Sequence, residues 1–190
     1  MKAPMAATTD RLLSLLRTHS YAKKKVVLAS GKESDFFIDS KQTVLRAEGH
    51  ALVGVAMFEA LERLPVRPEA VAGVALGGCP LASAVSLISH QRGAPRDALY
   101  VRKEAKDHGS RRLIEGDDHL AEGAAVAVLE DVVTTGGSTL KAIGQLKAAG
   151  YAIAGVIALV DRREGGAENL REAGVPFVAL YGREDFTDDA

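Results

Sequence analysis

Several things are scarce in this sequence, and each scarcity removes a class of protein. There is one cysteine, Cys79, so no intrachain disulfide can form and a disulfide-stapled secreted scaffold is excluded. No apolar stretch approaches the roughly 18 uninterrupted residues of a membrane span. The segment from Met1 to Leu13 has no long apolar run ahead of its charges and does not read as a secretory signal, which makes the cytoplasm the expected compartment. Neither sign of charge is in surplus: 24 Lys and Arg against 25 Asp and Glu leave a formal net charge of -1. Chains that live on nucleic acid usually carry a basic excess, so neither a nucleic-acid nor a membrane partner is expected. Internal repeats and low-complexity linkers are missing. So are the two commonest nucleotide fingerprints, G-x-x-x-x-G-K-[ST] and G-x-G-x-x-G. His19, His50, His90 and His119 show no metal-ligand spacing.

What is present describes an ordinary globular chain. Its 190 residues are 47% hydrophobic and 26% charged, enough for one domain, residues 1–190, and too few for two of usual size. A core at this length buries about 70% of the unfolded surface without a disulfide or structural metal. Leu12, Leu13, Leu15 and Leu16 stripe a first helix that Thr8 or Thr9 can cap. Val26 to Leu28 and Phe36 to Ile38 have strand character around a turn at Ser30-Gly31-Lys32. A helix fits Glu48 to Leu64, stopped by Pro65 and Pro68. Short apolar runs then alternate with amphipathic helices. The runs are Val71 to Leu76, Leu99 to Val101, Ala124 to Leu129, Ile153 to Val160 and Val175 to Leu180. The helices open at Pro80, near Thr139 and near Ala167. That alternation predicts an α/β fold, a mostly parallel sheet covered on both faces, with a small amino-terminal addition over about residues 1–45.

The most informative stretch is Val126 to Thr139. A buried strand delivers Glu130 and Asp131 to the carboxyl edge of the sheet, where ligands bind in open α/β folds. Val132, Val133 and Thr134 follow. Thr135, Gly136, Gly137, Ser138 and Thr139, all small, hydroxylated or glycine, then lead straight into a helix. Backbone N–H groups of such a loop, with the helix N-terminus, form a cup for a phosphate. Without a P-loop lysine, two carboxylates beside that cup suit a sugar phosphate, accepting hydrogen bonds from vicinal ribose hydroxyls. The plainer alternative is an acidic turn that only caps the helix. The run of hydrophobics, two acids, hydrophobics and a Thr/Gly/Ser loop resembles the phosphoribosyl-pyrophosphate motif of type I phosphoribosyltransferases. The resemblance implies that fold, with a small amino-terminal hood, and it implies a role for Asp131 in catalysis. It does not choose the base.

Three further segments narrow the choice. Arg102, Lys103, Lys106 and His108 gather in one polar loop after a strand. A solvated charged loop is one reading. Cations collected to stabilise a departing pyrophosphate are the other. The R-K-x-x-K-x-H-G order resembles the catalytic loop of orotate phosphoribosyltransferases. By that resemblance all four bind pyrophosphate oxygens, and Lys103 reaches into the partner's active site, which makes the working unit a homodimer. Leu28 to Asp39 resembles the same family's amino-terminal signature; its Phe36 and Phe37 can flank a flat base or simply belong to the core. Arg162, at the end of an apolar strand, resembles the family's orotate-binding arginine, with Thr134 as a second contact. A planar guanidinium suits the carboxylate that orotate has and uracil lacks. An ion pair of Arg162 or Arg163 with Glu164 is the alternative.

The family resemblance spans Leu28 to Gly166. It implies transfer of a phosphoribosyl group from 5-phosphoribosyl 1-pyrophosphate (PRPP) to orotate, with Mg²⁺ held by substrate oxygens rather than by a protein ligand set. A phosphoribosyltransferase for another base and a non-catalytic regulator that senses PRPP are the competing functions. Ala29 and Gly78 stand where some relatives carry lysine, so backbone N–H groups of Leu76 to Cys79 are expected to contact the pyrophosphate instead. Cys79 is expected to be an inert small residue in a tight loop.

Overall fold

A computed structural model of the chain describes residues 5–27, 33–104 and 112–187. The amino-terminal part is a helix, α1 (Met5–His19), followed by an antiparallel hairpin of β1 (Tyr21–Val27) and β2 (Glu33–Ile38) and a single helical turn, α2 (Lys41–Val44). α3 (Ala47–Ala60) then leads into the main sheet. Among the described residues this sheet has six strands: β3 (Ala70–Val74), β4 (Asp97–Val101), β5 (Ile114–Glu115), β6 (Ala125–Val133), β7 (Ala152–Asp161) and β8 (Phe177–Gly182). They lie in the order β5-β4-β3-β6-β7-β8, every neighbouring pair parallel except β4 with β5.

The central strands are apolar at nearly every position because both of their faces are covered. Side chains alternate between two cores. Val71, Ala127, Leu129, Ile157 and Leu159 face α1, α3 and the helix α4 (Gly78–Gln91). Ala70, Ala72, Val126, Val128 and Val156 face the helices α5 (Gly137–Ala148) and α6 (Gly166–Glu172). The amino-terminal part is tied down at the carboxyl-terminal end of the sheet. Tyr181 Oη donates to Thr9 O at 2.8 Å, Arg17 Nε donates to Asp185 O at 2.7 Å, and Arg183 pairs with Asp35 at 2.6 Å.

Three local expectations need correction. Thr8 and Thr9 do not cap α1; Met5, Ala6 and Ala7, good helix formers ahead of them, are already helical, and the Thr9 hydroxyl turns back to Ala6 O at 3.0 Å. Pro80 is the third residue of α4, not the first, a position where its missing N–H still costs no intrahelical bond. The α3 segment ends at Ala60, and Leu61–Arg63 tighten into a 3-10 turn before Pro65. The short elements α2 and β5 carry too few residues to show a period, and their sequence gives no sign of them.

Candidate active site

β3, β6 and β7 run side by side and end at the same edge, so the segments that follow them converge. Glu130 and Asp131 are still within β6, and their side chains leave the sheet in different directions. Glu130 is buried at 4% exposure, and its Oε1 accepts from Thr139 Oγ1 at 2.9 Å and Ser138 Oγ at 3.1 Å. Burial pushes its carboxyl up to about 7, against the pull of those two hydroxyls. Asp131 is half-buried and accepts from Ser40 Oγ at 2.8 Å, a bond from the amino-terminal hood to the main sheet. The loop after β3 makes room for Asp131 because residue 77 is glycine: a Cβ there would lie 2.1 Å from Asp131 Oδ2. The Ala75–Leu76 peptide in that loop is cis.

Beyond Asp131, Val133 turns into the core while Thr135, Gly137 and Ser138 are exposed at the start of α5. Gly136 caps the helix in the left-handed region at φ 77°, a conformation that favours glycine. Asn169 Nδ2 on α6 donates to Thr135 O at 2.9 Å and steadies the loop. Thr134 lies against the next turn, where a Cβ on Gly166 would come within 2.5 Å of Thr134 O.

That turn carries Arg162. Val133 and Asp161 are register partners, and Arg162 N donates to Val133 O at 3.0 Å, so Arg162 sits beside the Thr134 loop. Its Nη2 donates to Phe36 O at 3.0 Å and pairs with Glu164 Oε1 at 2.9 Å. The pair with Glu164 considered from sequence is therefore present, with Arg162 buried and Glu164 half-buried. Asp161, fully buried, accepts from Arg163 N at 2.9 Å and from its Nη1 at 3.1 Å, holding Arg163 at φ 58° with its side chain turned out toward Glu184. Phe36 is a core residue at 1% exposure, packed on Tyr21 and Phe186, so it does not offer an open face to a ligand. Phe37 is half-buried, with Lys24 Nζ 3.8 Å from its ring centroid.

A cleft of about 300 Å³ opens at the ends of β3 and β6, lined by Lys41, Ala75 to Gly77, Lys103, Glu130, Asp131 and Ser138 among others, and not by Thr134 or Arg162. Lys103 is exposed and lines the cleft with the two acids, close enough for its charge to act against the rise in the Glu130 pKa. Arg102 pairs with Glu115 at 2.9 Å and lines an adjoining pocket with Lys103 and Lys141. Lys106 and His108 lie outside the described residues, as do Ala29 and the Ser30-Gly31-Lys32 turn. Cys79 is buried, which pushes its thiol pKa up and fits an inert residue. Among the described residues no group of three or more His, Cys, Asp and Glu is arranged to hold a metal, and no helix is long and apolar enough to cross a membrane. Sequence reasoning missed Ser40 and Lys41. A Ser-Lys pair after a strand has no distinctive pattern, and only the fold brings it to Asp131.

A Thr/Gly/Ser loop at a helix N-terminus, two strand-borne acids and a nearby lysine lie together at the edge of a mostly parallel sheet, and a family model described as a phosphoribosyl transferase domain matches residues 47–173. The chain is 67% identical over 189 residues to an orotate phosphoribosyltransferase of Sorangium cellulosum, covering 100% of this chain and 98% of that one. It is 46% identical to an orotate phosphoribosyltransferase of a Synechocystis species, over 94% of this chain and 88% of that one. Among solved structures, that of Mycobacterium tuberculosis orotate phosphoribosyltransferase in complex with PRPP superposes with a TM-score of 0.77 at 33% identity, covering 94% of this chain and 98% of that one. The chain belongs to the orotate phosphoribosyltransferase family.

Proposed function

We propose that the chain transfers the phosphoribosyl group of PRPP to orotate, giving orotidine 5′-monophosphate and pyrophosphate in pyrimidine biosynthesis. The observation that carries the choice of base is the position of Arg162, fixed by the β6–β7 register beside the Thr134 loop. That position supports a reading in which a guanidinium able to engage a carboxylate stands beside the loop assigned to the sugar phosphate.

In this reading the 5-phosphate sits on the backbone of Thr134 to Ser138, and Glu130 and Asp131 accept from the ribose hydroxyls. Arg162 takes the orotate carboxylate, with Thr134 as a further contact. The orotate ring nitrogen forms a bond to C1 of the ribose as the C1–O bond to pyrophosphate breaks, and the ring proton leaves to solvent. The transition state resembles a ribosyl cation, so positioning and charge stabilisation do most of the work. Lys103, with Arg102, Lys106 and His108 from the same loop, meets the negative charge that grows on the departing pyrophosphate. The donors at the strand end are hard carboxylate oxygens that suit Mg²⁺. Asp131 would lie beside such an ion, which would supply positive charge to offset that of the leaving group.

Residues 1–190 act as one domain whose hood, about residues 1–45, closes one side of the site; the bond from Ser40 to Asp131 supports this. The working form is a cytoplasmic homodimer in which the loop of Lys103 serves the partner's site, and the high exposure of Lys103 supports that reading. Incubation with PRPP, Mg²⁺ and a panel of bases tests the reaction. Orotate alone should be consumed, with pyrophosphate released in equal amount; consumption of uracil or a purine in its place would refute the choice of base.

A further inference from the structure

The pyrophosphate end of the cleft is short of cations on the main sheet. Gly77 and Gly78 carry no side chain, and neither position readily takes one. A Cβ on Gly77 would strike the Asp131 carboxylate, and a Cβ on Gly78 would lie 2.5 Å from Leu129 O, a backbone atom. The loop after β3 therefore offers backbone groups only. The opposite wall comes from the hood. Lys41 lines the cleft together with Ala75 to Gly77, Lys103 and Asp131, and these two lysines are the cations of that lining among the described residues.

Lys41 differs from Lys103 in how firmly it is held. It opens α2, and its backbone N donates to Asp39 Oδ1 at 3.3 Å. The residue before it, Ser40, is fully buried and bonded to Asp131. Two residues on, Thr43 is also fully buried, and its hydroxyl contacts Leu15 O at 3.1 Å and Ser20 Oγ at 2.7 Å. Lys41 Nζ pairs with Asp39 Oδ1 at 2.6 Å, and Asp39 foremost, with a smaller effect from Asp131, raises its pKa, so it is charged at neutral pH. Its side chain stays 38% exposed, within reach of a ligand in the cleft.

We propose that Lys41 is a binding residue for the pyrophosphate group of the sugar substrate, supplied by the hood in place of a lysine on the loop after β3. The assignment rests on the reading that this cleft holds the sugar pyrophosphate. Asp39 keeps the ammonium aimed and charged before the substrate arrives. A fixed cation of this kind favours both bound substrate and departing pyrophosphate, whereas Lys103 acts mainly as charge develops.

The test is calorimetric binding of two probes, inorganic pyrophosphate with Mg²⁺ and ribose 5-phosphate, to the full chain. In the Lys41→Met variant pyrophosphate should bind about tenfold or more weakly, the scale of one charge-assisted hydrogen bond. Ribose 5-phosphate, held by the Thr134 to Ser138 loop, should keep its affinity, and Lys41→Arg should recover most of the pyrophosphate binding. Unchanged pyrophosphate binding in Lys41→Met, or an equal loss for both probes, overturns the proposal. A wild-type chain that binds neither probe overturns the reading of the cleft itself. Acetylation footprinting of the unsubstituted protein gives a second readout: pyrophosphate should protect Lys41 and ribose 5-phosphate should not. Lack of protection by pyrophosphate also refutes the assignment.

Discussion

Ser40 Oγ donates to Asp131 Oδ2 at 2.8 Å, joining a fully buried residue of the hood to the second acid of β6. The bond fixes one oxygen of a carboxylate that lines the cleft. Ser40→Ala removes the donor from a half-buried acceptor and should cost about 1 kcal/mol of stability. Its larger effect should be on function, with kcat/KM for PRPP falling roughly tenfold because the acid is no longer aimed. Thermal unfolding and steady-state kinetics separate the two; a variant with normal kcat/KM would show that Asp131 needs no positioning.

Two glycines of the β3 segment make different predictions. At Gly77 an added methyl meets the end of the Asp131 side chain, which can shift only by giving up its bond to Ser40, so Gly77→Ala should cost about the 1 kcal/mol of that bond and lose PRPP affinity. At Gly73 the methyl would lie 2.2 Å from Gly78 O, a backbone atom that cannot yield as cheaply. Gly73→Ala should lower stability by about 1–3 kcal/mol through overpacking. Melting temperatures and PRPP titration of both variants check the contrast.

Glu130 predicts a pH dependence with a definite sign. Its folded-state pKa, about 7, lies above the ordinary 4.5, so folding takes up a proton between those values. The stability this carboxyl contributes is full below about pH 4.5 and is lost as pH rises through about 7. Glu130→Gln removes the ionisation, so its melting temperature should gain on the wild type as pH rises from about 5 to about 8. A difference that is flat with pH would contradict the burial argument. Loss of the ribose contact should also make PRPP binding in the wild type weaker below about pH 7, and not in the variant.

Arg162→Lys keeps the charge and gives up the planar fork. The KM for orotate should rise about a hundredfold, as expected for two charge-assisted hydrogen bonds, while the KM for PRPP stays within about threefold. Equal damage to both constants would mean that Arg162, through Phe36 O, mainly supports the hood.

Lys103→Ala should reduce kcat by about 10²–10³-fold with little change in orotate affinity, because its charge is needed most as pyrophosphate departs. Single-turnover measurements distinguish this from a slowed product release. Normal turnover would remove that residue from the mechanism.

The sheet and the turn into α5 were legible in the sequence because their signals are local. Val126 to Leu129 is apolar throughout, and Thr135 to Ser138 announces a tight turn into a helix. The place of Arg162 at the end of an apolar strand was legible for the same reason, whereas its bond to Phe36 O was not. Ser40 and Lys41 were not legible either, since Ser40 meets Asp131 across 91 residues of sequence, a contact that no periodicity encodes, and Lys41 reaches the cleft only as its neighbour. The placement of Phe36 was undecided for a related reason: an aromatic pair reads the same whether it faces a ligand or, as here, the ring of Phe186. Thr8 and Thr9 misled because a hydroxyl can cap a helix or fold back onto it, and the choice depends on the residues before it.

The bond from Arg162 Nη2 to Phe36 O ties the turn after β7 to the amino-terminal hairpin across 126 residues of sequence, and Arg162 N ties the same turn to Val133 O. If this turn selects the acceptor base, a lineage or a designer that alters it must also repack the hairpin it braces, so the choice of base and the seating of the amino-terminal part would change together.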